Sequence, residues 1–214
     1  MKGIFITVEG PDGSGKSTQI RLLEEYLKDK GYNVVVTREP GGTRISEDIR
    51  NIILDTSNTD MSPYTEALLY AASRAQHVYE TILPALKEGK IVICDRFVDS
   101  SLVYQGFARG LGIKKIKEIN DFATEGLKPD VTLFFDIDID TALKRIGNRT
   151  TKDRLDKEKI EFHRKVYEGY MKIKEMYSYR IEVINAAYDI ENTFKQVKSV
   201  IDRLLELNEK EVLK

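Results

Sequence analysis

The sequence predicts an α/β fold in which a five-stranded parallel sheet carries helices on both faces. Five short apolar segments rich in β-branched residues alternate with longer segments whose apolar residues recur every three or four positions. The first apolar segment leads directly into a glycine-rich turn and then a helix. Strands that alternate with helices pair in parallel and need cover on both sides. Because 41% of the 214 residues are hydrophobic and 32% are charged, we predict a single three-layer sandwich domain over residues 1–214.

Local signals place the individual elements. The five predicted strands are residues 4–8, 33–37, 91–95, 131–136 and 181–185. Ser62 followed by Pro63 marks a helix start, and Asp138 and Asp189 are placed to cap two later helices. A polar, arginine-bearing stretch predicts a short lid over about residues 147–156, and residues 96–112 are predicted to form a polar, aromatic loop.

Residues 10–18 form the glycine-rich turn after the first strand. They match the pattern G-x-x-x-x-G-K-[ST] at every fixed position. This context is typical of P-loop NTPases, in which glycines and a helix N-terminus surround phosphate groups with N–H donors. Lys16 is expected to reach the β- and γ-phosphates of a nucleoside triphosphate. The predicted ATP-binding residues are Gly10, Pro11, Asp12, Gly13, Ser14, Gly15, Lys16, Ser17 and Thr18.

Two oxygen-bearing side chains, Ser17 and Asp95, predict a magnesium site. The hydroxyl of the serine in this motif is a ligand of Mg²⁺. Asp95 follows four apolar strand residues, as does the aspartate that holds Mg²⁺ in P-loop proteins. The alternative is that Asp95 only caps the turn after its strand.

The charge distribution favours small anionic ligands. A net charge of −1 gives no overall basic field, so neither nucleic acid nor an anionic membrane is an expected partner. Arginines occur where loops leave the strands, and arginine binds phosphate with a bidentate fork. Their charge exceeds what one triphosphate needs, which indicates a second phosphorylated ligand. These arginines are Arg38, Arg96, Arg145, Arg149 and Arg154, with Arg74 on a helix.

Two further features narrow the class of protein. Cys94 is the only cysteine, so no internal disulfide can form, and a cytoplasmic location is expected. The guanine-recognition motif N-K-x-D does not occur in the chain, which disfavours a GTPase.

Several motifs together resemble the bacterial thymidylate kinase family from one end of the chain to the other. Arg-Glu-Pro-Gly-Gly at 38–42 and Tyr-Gln-Gly at 104–106 are the most selective, since the phosphate loop alone indicates only the superfamily. The other matching segments are residues 9–18, 69–74, 95–97, 126–130 and 153–156. Phe97 and Tyr70 are mild departures, because tyrosine and phenylalanine are the commoner residues at these positions.

The resemblance implies transfer of the γ-phosphoryl group of ATP to dTMP, giving dTDP and ADP, with Mg²⁺ as cofactor. It also implies a homodimer packed through helices and a cis peptide bond between Glu39 and Pro40. By matching position, Arg38, Arg50 and Arg96 would hold the acceptor phosphate. The implied contacts to thymine and its sugar come from Tyr70, Arg74, Ser101, Tyr104 and Gln105.

The implied acceptor is an ionised phosphate oxygen, which needs no general base. Catalysis is therefore expected from alignment of the reactants and from neutralisation of charge. Near the phosphate loop the predicted catalytic residues are Lys16, Arg96 and Asp12. Asp12 is expected at the sugar 3′-hydroxyl or at the acceptor side of the magnesium site.

The lid is expected to supply a further catalytic cation. Some members of the family place an arginine inside the phosphate loop where this chain has Gly13. The arginines of the segment from Arg145 to Arg154 then become the candidates, and we favour Arg149, at the centre of the polar run, over Arg154. Pairing with Asp153 or Asp156 is the alternative role of Arg154.

Other functions remain open at this point. In a deoxynucleoside kinase, Glu9 would remove the proton from a 5′-hydroxyl group. Three arginines would then converge on a neutral acceptor, which argues against that enzyme. Another nucleoside monophosphate kinase, or a P-loop regulatory module that binds ATP without turnover, would share the phosphate loop.

Overall fold

A parallel sheet of five strands forms the centre of the computed structural model, which describes residues 3–147 and 153–212. The strands are β1 (Ile4–Glu9), β2 (Val34–Arg38), β3 (Ile91–Asp95), β4 (Val131–Asp136) and β5 (Ile181–Asn185). Their order across the sheet is β2-β3-β1-β4-β5, and every pair is parallel. The predicted strands and their parallel pairing are confirmed, with boundaries that differ by at most one residue at either end.

Helices connect the strands. The helices are α1 (Lys16–Asp29), α2 (Arg44–Leu54), α3 (Pro63–His77), α4 (Leu83–Lys87), α5 (Val98–Ser101), α6 (Ile113–Ala123), α7 (Ile139–Gly147), α8 (Ile160–Met176) and α9 (Ile190–Val212). Two π-helical segments, Val78–Ile82 and Leu102–Ala108, extend α3 and α5. None of the described helices contains a stretch both long and apolar enough to cross a membrane.

The two faces of the sheet are covered by different helices. On one face, Ile4, Ile6 and Val8 pack with apolar residues of α1 and α9. On the other face, Phe5 packs with buried residues of the 78–85 segment, and Phe134 packs with α8. Successive strand residues point to opposite faces, so β1 is buried along its whole length. The predicted three-layer arrangement is confirmed.

The carboxyl ends of the three strands β1, β3 and β2 meet at one edge. Val8 lies opposite Asp95, which in turn lies opposite Arg38. The phosphate loop follows β1, the loop with Glu39 follows β2, and Arg96 follows β3. In open parallel sheets, ligands bind in the crevice at this edge. The topology therefore brings three distant parts of the sequence into one site.

Residues 96–112, predicted as a loop, are instead largely helical. α5 continues directly into the second π-helical segment, and most residues of both are buried. The polar residues Ser100, Ser101 and Gln105 obscure the apolar helical pattern of this stretch, and all three are buried and line a cavity. Helical structure also continues past Pro84, since α4 follows directly on the first π-helical segment.

Three predicted helix caps and the cis bond are confirmed. Ser62 Oγ accepts from the backbone N–H of Thr65 at 3.1 Å. Asp138 and Asp189 likewise accept from backbone N–H groups three residues ahead, at 3.0 and 2.8 Å. The Glu39–Pro40 peptide bond is cis. The central part of the predicted lid, with Arg149, lies outside the described residues.

Candidate active site

The phosphate loop places an anion-binding helix terminus beside a cavity. Gly15 is the N-cap of α1 with φ of 88°, and no described side chain caps the first turn. Uncapped N–H groups at a helix N-terminus attract anions. The adjoining cavity measures about 290 Å³, and we call it the phosphate cavity. It is lined by Asp12, Gly13, Gly15, Lys16, Ser17, Thr18, Asp95, Arg96 and Arg145.

Lys16 is the buried cation of this loop. Its Nζ donates to the carbonyl oxygens of Gly10 and Pro11, both at 3.0 Å. Burial, with a smaller contribution from the positive charge of Arg96, lowers the pKa of Lys16 to about 8. A triphosphate bound in the phosphate cavity would add negative charge beside this lysine and favour its protonated form.

Ser17 and Asp95 fit a magnesium ion in the phosphate cavity. Both line this cavity, and the buried Oδ1 of Asp95 has no hydrogen-bond partner among the described residues. A buried carboxylate oxygen without a partner is costly unless a ligand satisfies it. Hydroxyl and carboxylate oxygens are the ligands that Mg²⁺ prefers. Bound Mg²⁺ would neutralise the charge of the β- and γ-phosphates.

A second cavity of about 240 Å³ lies beside the phosphate cavity, and we call it the acceptor cavity. It contains every residue predicted to contact the nucleotide acceptor: Arg38, Arg50, Tyr70, Arg74, Arg96, Ser101, Tyr104 and Gln105. Asp12, Asp95 and Arg96 line both cavities. The structure thus brings the predicted acceptor residues together and places them next to the phosphate loop.

Two arginines lie side by side in the acceptor cavity. Arg50 Nη1 and Arg38 Nη1 both donate to the carbonyl oxygen of Pro40, at 2.7 and 3.1 Å. Arg38 also pairs with Glu47 at 3.0 Å. Burial and the positive charge of Arg38 lower the pKa of Arg50. A phosphate dianion would relieve this repulsion and accept from both guanidinium groups.

Arg96 connects the two cavities. Its φ of 69° is in the left-handed region, and its backbone N–H donates to the carbonyl oxygen of Val8 at 2.9 Å. Its guanidinium donates to Ser100 Oγ and Tyr170 Oη, at 3.0 and 2.8 Å, and lies 3.1 Å from Asp12 Oδ1. These contacts hold the cation in one position before any phosphate arrives.

Arg74 forms the floor of the acceptor cavity and is 1% exposed. Its Nε donates to Glu39 Oε2 at 2.6 Å, and Nη2 donates to the carbonyl oxygen of Phe97 at 2.9 Å. Nη1 donates to Ser101 Oγ at 2.9 Å and to Asn120 Oδ1. These bonds use four of the five guanidinium N–H groups, so one on Nη2 has no described partner.

The sequence of the chain identifies the family to which it belongs. Residues 8–197 match the profile of the family described as thymidylate kinase. The chain belongs to the thymidylate kinase family. A thymidylate kinase of Geobacillus sp. is 54% identical over 207 residues, which cover 95% of this chain and 99% of that protein.

Other relatives agree with this family assignment. The thymidylate kinase of Finegoldia magna is 56% identical over 200 residues, covering 94% of this chain and 98% of that protein. A crystal structure of thymidylate kinase from Ehrlichia chaffeensis matches with a TM-score of 0.77 at 36% identity, covering 94% and 99% of the two chains. The predicted resemblance and the P-loop fold are confirmed.

The deoxynucleoside kinase alternative required Glu9 to face the acceptor. Glu9 is 1% exposed and lines neither cavity. Its Oε1 accepts from the backbone N–H groups of Phe97 and Ser100, and Oε2 accepts from Ser100 Oγ and Tyr170 Oη. In this thymidylate kinase family member, Glu9 therefore joins β1 to the segment after β3.

The lid arginines have different positions. Arg154 Nη2 donates to Glu66 Oε2 at 2.6 Å, and its Nε donates to the carbonyl oxygen of Ile53 at 2.8 Å. The alternative partners suggested by the sequence, Asp153 and Asp156, bond to each other's backbone N–H groups instead. Arg154 is thus anchored on α2 and α3, and its catalytic role stays a prediction.

Arg145, one of the arginines expected to face the crevice, contacts the phosphate loop. Its Nη1 donates to the carbonyl oxygen of Gly13 at 2.9 Å. A Cβ atom at Gly13, where φ is 80°, would lie 2.7 Å from the carbonyl oxygen of Ala142 and 3.2 Å from Arg145 Cβ. An arginine at position 13, as in some family members, would therefore displace α7 in this chain.

Several positioning residues were also missed from the sequence. Glu66, Asn120 and Arg109 are polar residues of types that mostly lie at the protein surface. Glu66 lies four and eight residues before Tyr70 and Arg74 on α3. That spacing places all three on one helix face and was the available signal.

We expect the stability of the Lys16→Met variant relative to the parent to fall as the pH rises from 7 to 10.5. The pKa is about 8 in the fold and near 10.5 when unfolded. Between these values the unfolded chain binds more protons, so the parent becomes more stable as pH rises, whereas the variant has no such group. Urea unfolding of both ligand-free proteins measures their free energies of unfolding. The value for the variant minus that for the parent should fall by about 3 kcal/mol between pH 7 and pH 10.5.

The exposed Lys115 provides the matched control, because Lys115→Met removes one positive charge without emptying a buried site. If the free energies of unfolding of Lys16→Met and the parent differ by the same amount at both pH values, the pKa of Lys16 is not lowered.

Proposed function

We propose that the two adjoining cavities bind ATP and dTMP and that phosphoryl transfer takes place where they meet. As a thymidylate kinase, the chain is an ATP-dependent phosphotransferase that converts dTMP to dTDP. The single observation that supports the proposed site is that Asp12, Asp95 and Arg96 line both cavities. A γ-phosphate in one cavity and an acceptor phosphate in the other would be adjacent at these residues.

The acceptor phosphate is proposed to bind to Arg38, Arg50 and Arg96. All three guanidinium groups line the acceptor cavity. An oxygen of that phosphate attacks the γ-phosphorus while the bond between this phosphorus and the β,γ-bridging oxygen breaks, and ADP leaves. The acceptor oxygen is already ionised, so positioning and electrostatic stabilisation are sufficient.

The base is proposed to bind at the opposite end of the acceptor cavity. The remaining Nη2 hydrogen of Arg74 matches a thymine carbonyl oxygen. Tyr70 and Tyr104 line the same cavity, and burial raises the pKa of both phenols, so they remain neutral donors. Tyr104 is proposed to crowd the sugar C2′ and thereby to disfavour a ribose.

Mg²⁺ is part of this proposal, with Ser17 and Asp95 as its protein ligands. The support is the buried Asp95 oxygen without a described partner beside the helix terminus. The residues around it bind and orient the triphosphate, while Lys16 and Arg96 supply positive charge from the protein.

We expect dTMP to be phosphorylated efficiently and thymidine hardly at all. The arginines of the acceptor cavity need a phosphate to bind, and thymidine has none. ADP production would be followed with ATP and each acceptor, with and without Mg²⁺, and chelation should abolish turnover. Comparable turnover of thymidine and dTMP would reject the proposed acceptor site and return Glu9 to consideration as a general base.

The lid end of α7 is proposed to contribute a catalytic cation. Arg145 lines the phosphate cavity and contacts Gly13, the position of the missing loop arginine. Arg149 stays a candidate from the sequence. Leu155 and Asp153, after the lid centre, line the acceptor cavity, which fits a segment that excludes water on closing.

We expect Arg145→Ala to lower kcat by at least tenfold while the KM for dTMP changes little. The reason is that the lost charge acts on the transferring phosphoryl group. In other phosphoryl-transfer enzymes, arginines in this role contribute about 10³-fold or more to kcat. Arg149→Ala should have a similar effect if the two act together. Arg164→Ala, at an exposed position on α8, is the control. Steady-state kinetics that leave kcat of Arg145→Ala within about twofold of the parent would exclude Arg145.

A homodimer is also proposed, through the helical face formed by α2, α3 and α6. These helices pack on one another and expose large apolar side chains. Contiguous exposed apolar surface is typical of interfaces. The exposed side chains are Ile45, Ile52, Tyr64, Leu68 and Phe122.

Sedimentation velocity tests the dimer. The parent is expected to sediment as a dimer and Leu68→Glu as a monomer, because the new charge would be buried at the interface. Leu207→Glu, at a similarly exposed leucine on α9, should remain dimeric. A monomeric parent, or dissociation of both variants alike, would contradict this interface.

A further inference from the structure

Glu66 is a buried carboxylate behind the acceptor cavity. It is 1% exposed and does not line the cavity, whereas its neighbour Gln105 does. Gln105 Nε2 donates to Glu66 Oε1 at 2.9 Å. The carboxylate therefore contacts Gln105 from outside the acceptor cavity.

This contact determines which way the Gln105 amide points. An ionised carboxylate can only accept hydrogen bonds, so the NH₂ group of Gln105 must face Glu66. The carbonyl Oε1 is then directed away from Glu66, and no described residue donates to it. Gln105 consequently presents a hydrogen-bond acceptor to the ligand in the acceptor cavity.

Two arginines keep Glu66 ionised. Arg109 donates from Nε to Oε1 at 3.2 Å and from Nη2 to Oε2 at 3.1 Å, and Arg154 donates to Oε2 at 2.6 Å. Burial opposes the charge of Glu66, but hydrogen bonds from Arg109, Gln105 and Arg154 outweigh it and hold the pKa below its ordinary value. The carboxylate thus stays an obligatory acceptor at neutral pH.

We propose that Glu66 is a positioning residue for base selection, which turns the carbonyl of Gln105 toward the ring nitrogen at position 3 of the base. Thymine and uracil carry hydrogen on that nitrogen and can donate to Gln105 Oε1. Cytosine has a lone pair there, which would face the carbonyl oxygen. The site therefore selects against cytosine through a residue that never touches the nucleotide. This inference rests on the proposed binding of dTMP in the acceptor cavity.

The Glu66→Gln variant reverses the orientation according to this proposal. Oε2 of Glu66 accepts hydrogen bonds from two arginines, at 2.6 and 3.1 Å. Oε1 accepts one from an arginine, at 3.2 Å, and one from Gln105. The amide oxygen of the variant should therefore remain at the arginine side, and its NH₂ group should face Gln105. Gln105 would then turn its own NH₂ group into the cavity.

The experiment compares kcat/KM for dTMP, dCMP and dUMP in the parent and in Glu66→Gln. The preference for dTMP over dCMP should fall by about tenfold or more, since one hydrogen bond becomes a mismatch. The loss should lie mainly in KM for dTMP. The preference for dTMP over dUMP should stay unchanged, because these bases differ only in the methyl group at position 5.

Glu158→Gln is the matched control, since Glu158 pairs with Arg109 at 2.6 Å and has no described contact with Gln105. It should keep the parental base preference. If Glu66→Gln does not fold, Glu66→Asp retains the charge, shortens the reach to Gln105 and should lose the same preference. If Glu66→Gln lowers kcat/KM for dTMP and for dCMP by the same factor, Glu66 has only a structural role and the proposal is overturned. A parent that does not phosphorylate dTMP would instead reject the proposed function.

Discussion

The buried guanidinium of Arg96 is the interaction on which both halves of the site depend. It contacts Asp12 of the phosphate loop, and it contacts Ser100 and Tyr170 on the acceptor side. Ser100 and Tyr170 also bond to Glu9, whose carboxylate lies beneath them. A fixed cation at the junction of two cavities can stabilise charge that moves from one phosphate to the other. Arg96 is held there by side chains from three separate parts of the chain.

The parallel sheet supplies the constraint that makes this arrangement possible. Because β1, β2 and β3 end together, Asp12, Glu39 and Arg96 are near one another despite their separation in the sequence. One carboxylate oxygen of Glu39 accepts a hydrogen bond from Arg74 Nε. The other lies 3.0 Å from Nδ1 of the buried His77 ring. Nε2 of His77 forms a hydrogen bond with Oγ1 of Thr37 on β2, at 2.7 Å. The floor of the acceptor cavity is therefore attached to the sheet itself by hydrogen bonds.

Strands and phosphate loop could be predicted from the sequence because their signals are local. A run such as 91–95 is apolar whatever surrounds it, and the glycine pattern at 10–18 has one geometry. The helical nature of residues 96–112 was missed because polar residues that line a cavity resemble polar residues in solvent. Glu66 was missed for a related reason: its partners Gln105 and Arg154 are distant in the sequence, and only the tertiary fold brings them to α3. The single-domain prediction, the cytoplasmic location, the absence of nucleic-acid partners and the role of Arg149 stay predictions.

The central claim is that two cavities meet at Asp12, Asp95 and Arg96 and form one continuous path for phosphoryl transfer. The most direct measurement is the binding of a ligand in which adenosine and thymidine are joined 5′ to 5′ through a polyphosphate chain. If the cavities adjoin as described, one molecule should bind per chain and should compete with both ATP and dTMP. Competition with only one of the two nucleotides, or binding alongside saturating dTMP, would contradict the claim.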